Sequence, residues 1–297
     1  MIESLAALWT LMSTPGLGQA IGVGTAVATA TGVAVKAVLW THERLTQRVQ
    51  IKEIDSSEHK DFPEFVELYD RTIEESTRIT PTEIAAWLDN KNHKNGLDYT
   101  LLLCKKGEEI LGFAQLMHIP GKPYSYISYF GIDNQKLNAR KQASARLAAY
   151  LRKIVAKKIS HCLGVYFEVQ SPYVVGLELQ EVHERIARSR RFKDLVRVEG
   201  GRAYEIDMQY IAPEVPGDVH TLSQHEMRLM YFVLDKSCER QLLPKPELIE
   251  AIRFLYLDIY GLLYKDDVEL NDIYRSELDV QIGQYEATLP ENIRLIP

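Results

Sequence analysis

Seven consecutive residues, Arg140, Lys141, Gln142, Ala143, Ser144, Ala145 and Arg146, combine three cations with small side chains near the start of a helix. That combination suits an anionic group. Free backbone N–H groups and the positive end of the helix dipole converge at a helix N-terminus, and small side chains let a phosphate approach the chain. Ahead of the helix, residues 127–132 (ISYFGI) read as an apolar strand, followed by the polar turn Asp133, Asn134, Gln135 and Lys136. Behind it, residues 163–169 (LGVYFEV) read as a second strand, in which period two puts Tyr166 and Glu168 on one face. Glu168 is the only carboxylate in the two strands that flank the helix. Residues 136–158 hold eight Lys/Arg and no acid, which reads either as a solvated helix face or as a basic collar for phosphates.

The elements that must position these residues follow from periodicity and turn chemistry. Residues 47–54 alternate as a first strand, and residues 61–73 and 80–92 have helical spacing. The second helix opens with Thr80, Pro81 at the first helical position and Glu83 three residues after the cap, a capping box. Residues 99–104 and 110–118 form a predicted hairpin around Lys105, Lys106, Gly107 and Glu108, and residues 124–132 make a third consecutive strand. A helix over 176–191 ends at Phe192, and residues 196–208 predict a hairpin around Gly200 and Gly201.

The strand-turn-helix-strand unit resembles motif A of the GNAT acyltransferase superfamily, whose loop reads Gln/Arg-x-x-Gly-x-Gly/Ala. Arg140 fits its first position and Ala145 its last, with Ala143 where the family has its first glycine. The order of elements over residues 47–213 is similar to the family's as well. The resemblance implies an α+β fold, a GNAT-like mixed and mostly antiparallel twisted sheet flanked by helices. It implies that acetyl-CoA is held through Ile132, Arg140, Lys141, Gln142, Ala143, Ser144, Ala145 and Arg146, and that an amine accepts the acetyl group. Such a transfer needs a base for the amine proton and an acid for the departing thiolate. The family's acidic residue on the strand before motif A is absent here, and Ala187 and Arg191 stand where a later helix has its Tyr and Gly. The substitutes are Glu168, Tyr129 and Tyr173 as catalytic residues, with Tyr166 and His118 behind them. Two other readings stay open: a non-catalytic CoA-binding sensor, and an adaptor that assembles at a membrane.

The remainder of the chain divides around this domain into an N-terminal segment (1–45), the GNAT-like domain (46–215) and a C-terminal helical extension (216–297). Residues 20–40 carry a single charge, Lys36, end at Trp40 and approach the length of a membrane span. Ala20, Gly24, Ala28 and Gly32 recur every four residues, a small-residue stripe on which two helices pack closely to give a homo-oligomer. The segment reads either as an anchor on the inner face of a membrane, with the domain cytoplasmic, or as a helix packed within a soluble assembly. Its start lacks the basic region of a signal peptide. In the extension, Ser223 and Glu226 form a predicted capping box before a helix, and a second helix follows Pro246. A net charge of −6 argues against a nucleic-acid partner, and Cys104, Cys162 and Cys238 are isolated thiols that suggest neither disulfides nor a metal site.

Overall fold

Residue types with period two or continuous apolar character form one half of the sheet: β1 (Val49–Ile54), β2 (Asp98–Lys106), β3 (Glu109–His118) and β4 (Tyr124–Ile132). Each is antiparallel to the next. The computed structural model describes residues 49–89, 96–133, 135, 137–158, 164–198, 201–213, 225–233, 240–264 and 268–297. The apolar segment over residues 20–40 lies outside them; among the described residues, no helix is long and apolar enough to cross a membrane. Residues Val49–Pro297 form one compact unit.

Between β1 and β2 lie two helices, α1 (Phe62–Thr72) and α2 (Pro81–Asp89). The capping box is present: the Glu83 N–H donates to Thr80 Oγ1 (3.3 Å), and the Thr80 N–H donates back to Glu83 Oε2 (3.3 Å). The long helix α3 (Leu137–Lys158) then carries the chain from β4 to β5 (Gly164–Gln170), which is parallel to β4. The apolar positions Ala143, Leu147, Leu151 and Val155 recur every four residues and are buried against the sheet. Helix α4 (Leu179–Val198) follows.

The C-terminal half departs from the sequence expectation in two places. The hairpin expected over residues 196–208 does not form among the described residues: α4 runs on to Val198, and β6 (Arg202–Ile206) pairs instead with strands farther along the chain. Residues 225–233, expected as a capped helix, form β8 (His225–Val233), antiparallel to both β5 and β6. The reason is burial. The run Leu229, Met230, Tyr231, Phe232, Val233 is covered on both faces of the sheet, so it is continuously apolar, and continuous runs carry no periodicity to tell strand from helix. Short β7 (Tyr210–Ala212) also pairs with β8, and β9 (Leu242–Pro244) and β10 (Asn292–Ile296) extend the sheet, whose order is β1-β2-β3-β4-β5-β8-β6-β10-β9. Helix α5 (Lys245–Arg253) continues through a π-helical stretch (Phe254–Ile259) and a 3₁₀ stretch (Tyr260–Tyr264), and α6 (Val268–Thr288) leads back to β10.

The sheet separates two cores. On one face α3 and α4 cover Leu102, Ala114, Ile127, Val165 and Phe167. On the other, α1, α2 and the C-terminal helices cover Leu103, Phe113, Tyr124, Tyr166 and Tyr231.

Candidate active site

The opening in the sheet arises from pairing. Strands β4 and β5 are in register from Tyr124 opposite Gly164 to Ile127 opposite Phe167, and pairing ends there. At that point β4 bulges: Leu116 of β3 faces Ile127 but Gln115 faces Tyr129, leaving Ser128 extra. A bulge bends its strand and turns the following side chains over. Tyr126 and Tyr129, three apart, thereby come to the same face, where strict alternation would separate them. Beyond the bulge Gly131 lies against α1: a Cβ there would meet the Phe113 ring at 2.4 Å and Thr72 Oγ1 at 3.1 Å. Into the gap opens a cavity of about 1560 Å³, reached from both faces of the sheet.

On the α1, α2 and C-terminal face, Glu168 lies at the wall of the cavity, recessed but open to it on one side. Three phenols hold its carboxyl group. Tyr126 donates to Oε2 at 2.8 Å, Tyr260 donates to the same oxygen, and Tyr210 donates to Oε1. Burial pushes the Glu168 carboxyl up from its ordinary value, and the hydrogen bonds from Tyr210, Tyr260 and Tyr126 pull the other way. The three phenols are themselves held well above their ordinary value, by burial first and then by the Glu168 charge, so they remain O–H donors. Tyr260 reaches this point from the end of the π-helical stretch. A π turn shifts the register of every later side chain, and such turns recur at functional sites.

Tyr129 lines the same cavity, but its hydroxyl is engaged in the wall: it donates to Thr77 O at 2.5 Å and accepts from the Ile79 N–H at 3.1 Å. Tyr173 is not brought to the cavity. It is 66 % exposed, with the Arg228 guanidinium 5.3 Å from its ring. Tyr166 is fully buried below Glu168 on the same strand, and His118 is tied by Nδ1 to Tyr124 O at 3.0 Å.

On the other face, Ser144 and Ala145 of α3 and Ile132 at the end of β4 line the cavity. Ala143 points away, buried in the core beneath α3, while Gln142 and Arg146 are exposed. Arg140 ends the first turn of α3 and Lys141 opens the second. His183, Ala187, Arg188 and Arg191 of α4 form the facing wall. A polar strap crosses the mouth: Arg188 Nη1 donates to Gln170 Oε1 at 2.6 Å, and Gln170 Nε2 donates to Glu74 in the loop after α1.

Of the sequence candidates, Glu168 and Tyr129 line the cavity, whereas Tyr126, Tyr210 and Tyr260, which bond Glu168, are not among those candidates. Tyr126 was within reach, being two residues from Tyr124 on a strand of known phase. Tyr210 and Tyr260 come from segments 42 and 92 residues beyond Glu168, and no local pattern ties them to it.

No protein-family model matches the chain, and no curated protein does. Solved structures similar to it include a GNAT-family protein from Bacteroides thetaiotaomicron, at 14 % identity, covering 71 % of this chain and 98 % of that one with a TM-score of 0.46. Another is an N-acetyltransferase from Staphylococcus aureus Mu50 at 13 % identity, with 63 % and 98 % covered and a TM-score of 0.38. A third is the spermidine N-acetyltransferase from Vibrio cholerae in complex with CoA and spermine, at 12 % identity, 64 % and 99 % covered, TM-score 0.39.

Proposed function

We propose that this chain is an acyltransferase that moves an acetyl group from acetyl-CoA to an amine. The observation that carries the reading is the opening between β4 and β5, with the small residues of α3 on one face and a tyrosine-held carboxylate on the other. The residues present fit such a donor. Past Ile127 and Phe167 the facing edges of β4 and β5 no longer pair with each other, leaving backbone groups able to meet an extended amide-bearing chain. Ser144 and Ala145 leave the wall of α3 low where a pantetheine arm would pass, and Arg188 and Arg191 supply positive charge opposite for phosphates. Ile132, Arg140, Lys141 and Gln142 belong to the same cofactor wall in this reading.

Acetyl-CoA would supply a thioester: its carbonyl carbon bonds to the amine nitrogen, the C–S bond breaks, sulfur leaves with the pair, and the nitrogen's proton restores the thiol. The chain's part is to hold and neutralise the amine. Glu168 binds the protonated amine and receives its proton, a transfer that burial favours by raising the carboxyl group's affinity for protons. Tyr126, Tyr210 and Tyr260 fix the carboxylate's orientation, and Tyr129 closes the wall.

Calorimetric titration with acetyl-CoA, followed by thiol release with a panel of amines, tests this. Failure to bind acetyl-CoA would remove the proposal. Binding without thiol release in the presence of any amine would favour a CoA-binding sensor, the reading to which Ala187 and the engaged hydroxyl of Tyr129 lend support.

A further inference from the structure

The transfer reading leaves the acceptor open, and the half of the cavity that faces α1 and α2 narrows it. We infer that the acceptor is a primary amine with one positive charge on an apolar body, an inference that rests on that reading. Among the described residues, Glu168, on the α1 and α2 side, is the charged residue deep in this half; Glu74 stands at the exposed rim, bonded to Gln170. The described lining of this half includes Ile79, Trp87, Met117, Tyr129 and Ile259, with the hydroxyl-bearing Thr77 and Ser128 among them. A single ammonium is matched by a single carboxylate there, and the rest of the ligand meets apolar and aromatic surface.

The hydrogen-bond capacity of Glu168 points the same way. A carboxylate offers about four lone-pair sites. Among the described residues three are taken, two on Oε2 and one on Oε1, so Oε1 has room for one more donor. One N–H of an ammonium fills it, and the remaining N–H groups can turn to the phenolic oxygens and ring faces beside it. A guanidinium needs a two-pronged acceptor, which three phenols have already closed off. A second ammonium on a ligand too short to reach the rim at Glu74 would lie against Ile79, Trp87 or Ile259 with no counter-charge among the described residues, and an unpaired charge in such surroundings is costly.

Hexylamine and 1,6-diaminohexane separate the possibilities, since they share one chain and differ in charge. With acetyl-CoA and the intact protein, kcat/KM from thiol release should favour hexylamine by roughly 100-fold, the effect of stranding one charge against apolar side chains. Equal rates, or a preference for the diamine or for a lysine-containing peptide, would overturn the inference while leaving acetyl transfer standing. If acetyl-CoA does not bind, the transfer reading falls by itself, and calorimetry of the two amines alone still decides: the inference holds only if hexylamine binds more tightly. Glu168→Gln should weaken hexylamine binding at least roughly tenfold while acetyl-CoA affinity stays unchanged, because a neutral amide leaves the ammonium unpaired. Undiminished hexylamine binding in that variant would equally refute it.

Discussion

Each hydroxyl around Glu168 does two opposed things: it helps keep the carboxylate charged, and it helps to seal it from water. Burial is the larger influence, so the group binds protons more readily in the folded protein than in the unfolded chain. The sign of the resulting pH dependence is fixed. Native Glu168 holds more protons than unfolded Glu168 between its ordinary value of 4.5 and the raised one, so its contribution to stability is lost as pH climbs through that window. Glu168→Gln abolishes the titration. Its thermal midpoint, measured from pH 4 to pH 8, should therefore gain on the parent protein as pH rises; a constant difference would place Glu168 in water-like surroundings. Catalysis should move oppositely. The same variant is expected to lose roughly 10²- to 10⁴-fold in turnover with acetyl-CoA affinity intact, the range typical of a lost general base. A fall of less than about threefold across the pH range would make Glu168 an ordinary strand residue.

At the scale of elements, the bulge at Ser128 and the start of α3 decide where ligands can go. Ala145→Asp would put a carboxylate in the cofactor wall and should abolish acetyl-CoA binding by calorimetry, whereas Ala143, buried beneath α3, is a packing position. Leu147→Ala, deeper in the same stripe, should cost about 2–5 kcal/mol in denaturant unfolding without a specific effect on the cofactor. Thr80→Ala removes one half of the capping box and should cost about 1 kcal/mol. The elements up to β5 were legible because local chemistry states them: Thr80 and Glu83 cap, Gly107 turns with φ of 65°, Tyr124 to Ile132 are bounded by turns. What was illegible depends on partners far away in the chain. Nothing local announces that Ser128 is an unmatched residue, since a bulge is a relation between two strands. Nothing in His225 to Val233 says strand, because its partners β5 and β6 make it one.

In the whole molecule, the C-terminal third is part of the sheet and part of the site. Strand β8 fills the place between β5 and β6, and Tyr260 and Tyr210 close the carboxylate from that side. Arg240 binds Glu247 and donates to the Tyr231 hydroxyl at 2.7 Å, fastening α5 to β8. A chain cut after residue 213 should therefore fail to fold: it leaves β5 and β6 without the strand that joins them and exposes Tyr166 and Phe167. Hydrogen exchange and near-ultraviolet circular dichroism of the truncated chain would show this as a loss of fixed side-chain packing; a cooperative unfolding transition in it would contradict the arrangement.

The position of β8 also sets an order in time. During synthesis β1 to β6 leave the ribosome before the strand that must slip between β5 and β6 emerges, so until then β5 and β6 present open edges to any other chain nearby. Closing the sheet is then a late, non-local event with a long loop to bring together, and such events slow folding and lengthen exposure to aggregation. A nascent chain stalled near residue 213 is the species to which a chaperone would bind, and release should coincide with the emergence of Val233.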